Sequence, residues 1–305
     1  MTNPILAFSG RRRMRSLRTP ILLTVYSVLL AGIAYLTVYS AFLQPTVTLG
    51  NMRASVYGYL LMVCLQFGLL VLIAPAMTAG SVSGERERQT LDLLLVTNTG
   101  AVRLVLGKLL ESFGFLALMV LCSMPTLSLV LLTGGATIGQ VLTAVLFLML
   151  ISLGALSVGL FCSTLLKRTV TATVVSYLAV FGIGLLTLLP IWHDVKRIGD
   201  IYDSVNIAGQ ALPPVLEYTP ISFTMNPGLG LFSLLQEQTG MFSGGFMYGI
   251  SYTLANTMGQ GLLPFKHYLA CNMIFIAGAS ALLVALSAVN VRLGKSGRLK
   301  GRKKA

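Results

Sequence analysis

Five times along the chain an apolar run passes without a single charged side chain: Pro20 to Leu43, Val56 to Ala79, Ile138 to Leu166, Val170 to Pro190 and Tyr268 to Val291. A sixth run, Leu104 to Leu132, carries only Lys108 and Glu111, both near its start. Each is at least as long as the ~20 residues a helix needs to cross a bilayer. In hydrocarbon, a backbone polar group has to find its partner within its own segment, which leaves helix as the form such a run takes. Charge is correspondingly scarce, at 10% of the 305 residues. A soluble chain carries about a quarter. The expected fold class is therefore all-α: a polytopic integral membrane protein with six transmembrane helices.

Basic residues set the orientation. With the N-terminus inside, the inner segments hold Arg11, Arg12, Arg13, Arg15 and Arg18, then Arg86, Arg88, Arg103 and Lys108, then Lys167 and Arg168, and finally the tail from Arg292 to Lys304. That is eighteen of the 22 lysines and arginines, against Arg53, Lys196, Arg197 and Lys266 outside. The positive-inside rule places both termini in the cytoplasm, as an even number of spans requires. Most of the net charge of +13 thus faces the cytoplasm and its lipid headgroups. The arginine-rich start is read as a cytoplasmic interfacial helix. It does not read as a signal peptide, because the run after it is too long and lacks a small-residue cleavage site. A basic block beside a span is a topology signal, not a nucleic-acid site, so no nucleic acid is expected.

The most densely charged internal stretch lies between the second and third runs, from Ser81 to Lys108. Glu85, Arg86, Glu87 and Arg88 are followed by Leu91, Leu93, Leu94, Leu95 and Val96. Ser83 is placed to be a helix N-cap, with Glu85 and Glu87 in a first turn that favours negative charge. Arg88 and Asp92 fall four apart, and Asn98 to Gly100 supplies a stop. This predicts a short helix along the cytoplasmic surface, charged at its start and apolar at its end.

A second distinctive region is the long outer segment between the last two runs. Pro213, Pro214, Pro220, Pro227 and Pro264 interrupt it, yet Leu229 to Leu235 and Phe242 to Leu254 are apolar. Short or re-entrant helices forming an outer cap are expected, with a substrate-binding role as the alternative.

Chemistry is sparse. His193 and His267 are isolated, and the four cysteines (Cys64, Cys122, Cys162, Cys271) all sit in apolar runs with no metal spacing, so no metal site and no disulfide framework is expected. Gly107-Lys108 and Gly294-Lys295-Ser296 both lack the earlier glycine of a phosphate-binding loop. The spans carry no mid-membrane Asp, Glu or His of the kind that proton- or sodium-coupled carriers use. Small residues recur at packing intervals, as Ala155, Gly159 and Ser163 and as Ala277, Ala281 and Ala285.

The stretch Gly84-Glu85-Arg86-Glu87-Arg88-Gln89-Thr90-Leu91-Asp92-Leu93-Leu94-Leu95-Val96-Thr97, followed by Leu106-Gly107-Lys108-Leu109-Leu110, resembles the signature of type-2 ABC transporter permeases. Asn3-Pro4-Ile5-Leu6 with its arginine-rich continuation is similar to one branch of that family. Gln89 stands where the family has a small residue or glycine, Asp92 where it has glutamate, and Asn98 where it has proline.

The resemblance implies a membrane subunit of an ATP-driven transporter, an exporter by the habit of the family. ATP and magnesium would bind a separate ATP-binding subunit, this chain carrying no cofactor, no metal and no catalytic residue. Glu85, Arg86, Glu87 and Arg88 would make the polar contact with that subunit, and Thr90, Leu91, Asp92, Leu94 and Leu95 would form the coupling helix. A second permease copy or a sister permease would complete a homo- or heterodimer in the cell (plasma or inner) membrane of a bacterium. The implied organisation is an interfacial helix at 1–19, a six-span domain at 20–291 with its coupling segment at 81–108 and outer segment at 191–266, and a basic tail at 292–305. The alternatives are a secondary carrier or channel, and a membrane scaffold without transport.

Overall fold

The described part of each apolar run is helical. The computed structural model describes residues 18–42, 49–90, 100–189, 192, 196, 224–239 and 265–302, and among these there is no strand. In chain order the described helices are α1 (Arg18–Phe42), α2 (Leu49–Ala79), α3 (Ser83–Glu87), α4 (Ala101–Cys122), α5 (Met124–Leu132), α6 (Ile138–Leu165), α7 (Thr169–Leu186), α8 (Pro227–Thr239) and α9 (Phe265–Arg302). Six stretches are long and apolar enough to cross a membrane, and they coincide with the six runs read from the sequence. The arginine-rich start, residues 91–99 and most of the outer segment lie outside the described residues.

The third run is two helices, not one tilted rod. Helix α4 ends at Cys122 and α5 begins at Met124 with Pro125 in its first turn. Proline has no N–H to continue the ladder, and its ring crowds the preceding turn. Ser123 sits at the joint, fully buried, and its hydroxyl donates to the Val120 carbonyl at 2.6 Å. From α2, the Gln66 amide donates to that same hydroxyl at 2.9 Å. A bond of this kind replaces the water a buried polar joint would otherwise need.

The chain divides into two compact units, Met1–Val180 with Ala279–Ala305, and Phe181–Gly278. In the first, α2 packs between α1 and α6, and glycines set both close approaches. A Cβ at Gly58 would lie 2.2 Å from the Thr37 hydroxyl of α1. A Cβ at Gly159 of α6 would lie 2.3 Å from the Thr78 hydroxyl and 3.1 Å from Pro75 Cα, both on α2. Thr78 also donates across the crossing to the Leu156 carbonyl at 3.0 Å. The stripe Ala155, Gly159 and Ser163 is thus buried against α2, whereas Ala277, Ala281 and Ala285 of α9 are exposed in the single chain. None of the four cysteines is in a disulfide.

In the second unit, α8 realises the apolar piece around Leu229 to Leu235. Asn226 caps it, its carbonyl oxygen accepting from Gly228 N at 2.8 Å and Leu229 N at 3.3 Å. Pro227 follows as the first helical residue, where its missing N–H costs nothing. Asn272 of α9 donates to the carbonyls of Thr224 and Asn226. Phe242 to Leu254 lies outside the described residues.

Candidate functional site

Beyond Ala79 the chain makes a tight elbow. Ser81 N bonds the Thr78 carbonyl at 3.0 Å, Gly84 N the Gly80 carbonyl at 3.1 Å and Arg86 N the Val82 carbonyl at 3.0 Å. Gly80 lets its neighbour come close: a Cβ there would meet the Thr169 methyl at 3.0 Å.

Ser83 does not cap this helix. Its hydroxyl turns back to donate to the Ala79 carbonyl at 2.8 Å, and Val82 occupies the cap position without a side-chain bond. The cap comes from another helix. Ser163, in the last turn of α6, accepts from both Val82 N and Ser83 N at 3.0 Å. Two of the donors that a helix start leaves open are thereby satisfied inside the protein.

The four charged residues then diverge. Glu85 Oε1 meets Lys108 Nζ of α4 at 2.6 Å, each side chain 18% exposed. Its second oxygen, Oε2, is buried and has no hydrogen-bond partner among the described residues. Arg86 spreads its fork over the end of α6, donating to the Thr164 carbonyl at 3.0 Å and the Leu166 carbonyl at 3.3 Å. A cation suits the carbonyl-rich end of a helix. Glu87 accepts from the hydroxyl of Thr169, the first residue of α7. That hydroxyl first, then the Thr169 N–H, with Arg168 and Arg88 nearby, holds the exposed Glu87 carboxyl below the usual carboxylate range.

Arg88, Gln89 and Thr90 face outward. Gln89 adopts φ +57°, the left-handed region, and Thr90 returns both its N–H (3.0 Å) and its hydroxyl (3.2 Å) to the Glu85 carbonyl. Lys167 and Arg168, in the short link from α6 to α7, are also exposed. The coupling residues Leu91, Asp92, Leu94 and Leu95 lie outside the described residues.

The elbow therefore gathers Glu85, Arg86 and Glu87 with residues that sequence reasoning had not connected to it: Ser163, read only as a small packing residue, and Thr164, Leu166 and Thr169. Their signal is not local. They sit about 80 positions downstream, and only the crossing of α2 on α6 brings them into reach. Among the described residues, no three His, Cys, Asp or Glu side chains gather where they would hold a metal ion.

A family model described as ABC-2 family transporter protein matches residues 9–195, which takes in α1 to α7 and the whole elbow. Comparison with curated proteins gives no match.

Proposed function

This chain belongs to the ABC-2 family of transporter proteins, and on that premise we propose that it is the membrane-spanning permease of an ATP-driven exporter, coupled through its elbow to a separate ATP-binding subunit. ATP and magnesium belong to that subunit. The permease works as a dimer with a second copy or a sister chain in the cell membrane, both termini in the cytoplasm.

One observation carries the reading: the start of the coupling segment is tied by side chains to three neighbouring spans. Lys108 belongs to the third, Ser163 to the fourth and Thr169 to the start of the fifth. A loop with no mechanical task needs no such anchorage. Beyond the ties, Arg88, Gln89 and Thr90 are exposed, where a docked subunit reaches them.

In this division of labour Glu85, Arg86 and Glu87 hold the elbow in shape. Arg88 and Thr90 meet the partner, together with Leu91, Asp92, Leu94 and Leu95. The absence of mid-membrane Asp, Glu and His from the apolar runs supports an external energy source over an ion-coupled carrier.

The test is co-purification in mild detergent, wild type beside Arg88→Glu. Retention of an ATP-binding subunit by the wild type, and a fall of about tenfold in the variant, is the expected result, the scale of a reversed interfacial charge. A well-folded wild type that retains no such subunit overturns the reading.

A further inference from the structure

We propose that Ser163 is a positioning residue for the coupling segment: its hydroxyl fixes the elbow to the cytoplasmic end of the fourth span, so that the two move as one body and displace the start of the fifth span with them. The inference rests on the permease reading above and adds to it the route by which a push on the elbow travels.

The contacts on this corner are dense. Ser163 Oγ accepts from two successive backbone N–H groups of the elbow, and its own proton points to Ser83 Oγ at 3.4 Å. Ser163 and Ser83 are both fully buried, so water does not replace these bonds when they break. Arg86 clasps the last carbonyls of α6 from the other side. Gly80 and Gly84 let Thr169 approach: a Cβ at Gly84 would lie 3.5 Å from the Thr169 hydroxyl.

By contrast, the tie to the third span is a single ion pair at the edge of the elbow. One ion pair that keeps some access to water is a weaker constraint than several buried bonds. Buried hydroxyl and amide groups lose their bonds outright if they part. The elbow is thus bound firmly to the end of the fourth span, and the start of the fifth follows that end through the short link at 166–168. A rigid block with one compliant edge moves by rotation about that edge.

The geometry at Gly84 and Thr169 supplies the test. In a chain whose four native cysteines are replaced, Gly84→Cys and Thr169→Cys place two sulfurs within disulfide range. The complex with its ATP-binding subunit, in lipid nanodiscs, is oxidised with and without ATP and magnesium. The pair is expected to cross-link equally fast in both conditions, and the cross-linked complex to hydrolyse ATP at the rate of its reduced form.

Adding Ser163→Ala is expected to slow cross-linking by about fivefold, the rate equivalent of one lost buried hydrogen bond, and Ser163→Thr to restore it. The proposal is overturned if the pair does not cross-link, if ATP changes its rate, or if oxidation abolishes hydrolysis and dithiothreitol restores it. Should no ATP-binding subunit accompany the chain, the permease reading fails by itself. The alanine and threonine rates then still decide the role of Ser163.

Discussion

Glu85 and Lys108 close a loop: their carboxylate and ammonium meet at 2.6 Å across an intervening stretch that includes residues 91–99. One belongs to the charged end of the elbow and the other to the Gly107-Lys108-Leu109 start of the third span. Two halves of the signature that are separate in sequence are thus in contact in the fold.

Reversing either charge alone places like charges 2.6 Å apart at a site only 18% exposed. Glu85→Lys and Lys108→Glu are each expected to destabilise the protein by roughly 1–3 kcal/mol, between the exposed and buried limits for ion pairs. The double exchange should recover half of that loss or more. Thermal unfolding of the four proteins in detergent measures it, and a double exchange no better than the worse single would exclude a direct pair.

Gly159 and Gly114 offer a matched contrast. A methyl at 159 runs into Thr78 and Pro75, whereas a methyl at 114 meets nothing within 4 Å. Gly159→Ala should therefore cost about 1–3 kcal/mol by forcing α2 and α6 apart. Gly114→Ala should be neutral or favourable by up to ~1 kcal/mol, from helix propensity alone. Unfolding in mixed micelles distinguishes them, and equal effects would mean that the two helices do not cross there.

At the joint of the third span, Gln66 and Ser123 share a buried bond of 2.9 Å. A double-mutant cycle with Gln66→Leu and Ser123→Ala should give a coupling of about 0.5–2 kcal/mol, the range for bonds between membrane helices. Strict additivity would place the two side chains out of contact.

Gln89 is held at φ +57°, where a side chain crowds the following carbonyl. Glycine, the residue that the resembling signature favours there, adopts this conformation freely. Gln89→Gly should stabilise the elbow by up to ~1 kcal/mol, and Gln89→Val should weaken it by about 1–2 kcal/mol. Amide exchange at Arg88 and Thr90, which flank it, reads the difference.

What could be read in advance divides along physical lines. Membrane spans announce themselves because solvent exclusion acts on each segment alone: the described part of every run from Pro20 onward is helical. The third, though, is two helices, α2 begins at Leu49 before its expected start at Val56, and α9 runs on to Arg302 beyond Val291. The break at Ser123 was less visible because the run carries no charge there and stays apolar on average: Ser123, Pro125, Thr126 and Ser128 are interspersed with Leu121, Met124, Leu127 and Leu129. Only the missing N–H of Pro125 marks it.

The elbow was half legible. Its charges and its place between spans were plain, and a local rule offered Ser83 as the cap. The cap in fact comes from Ser163, because α2 and α6 cross where Gly159 allows it. Spacing alone was equally blind to context. Ala155, Gly159 and Ser163 are buried while Ala277, Ala281 and Ala285, at the same interval, are exposed.

The pin between Glu85 and Lys108 also bears on how such a protein diversifies. Both ends of the stretch between them are held by the protein's own contacts, whatever sequence lies in between. Arg88 and Thr90, between those ends, can change without removing a tie of the elbow to its neighbouring spans. Partner choice and cargo path are then free to drift at separate rates, and a graft that begins at Arg88, beyond Arg86 and Glu87, exchanges one while keeping the anchorage of the other.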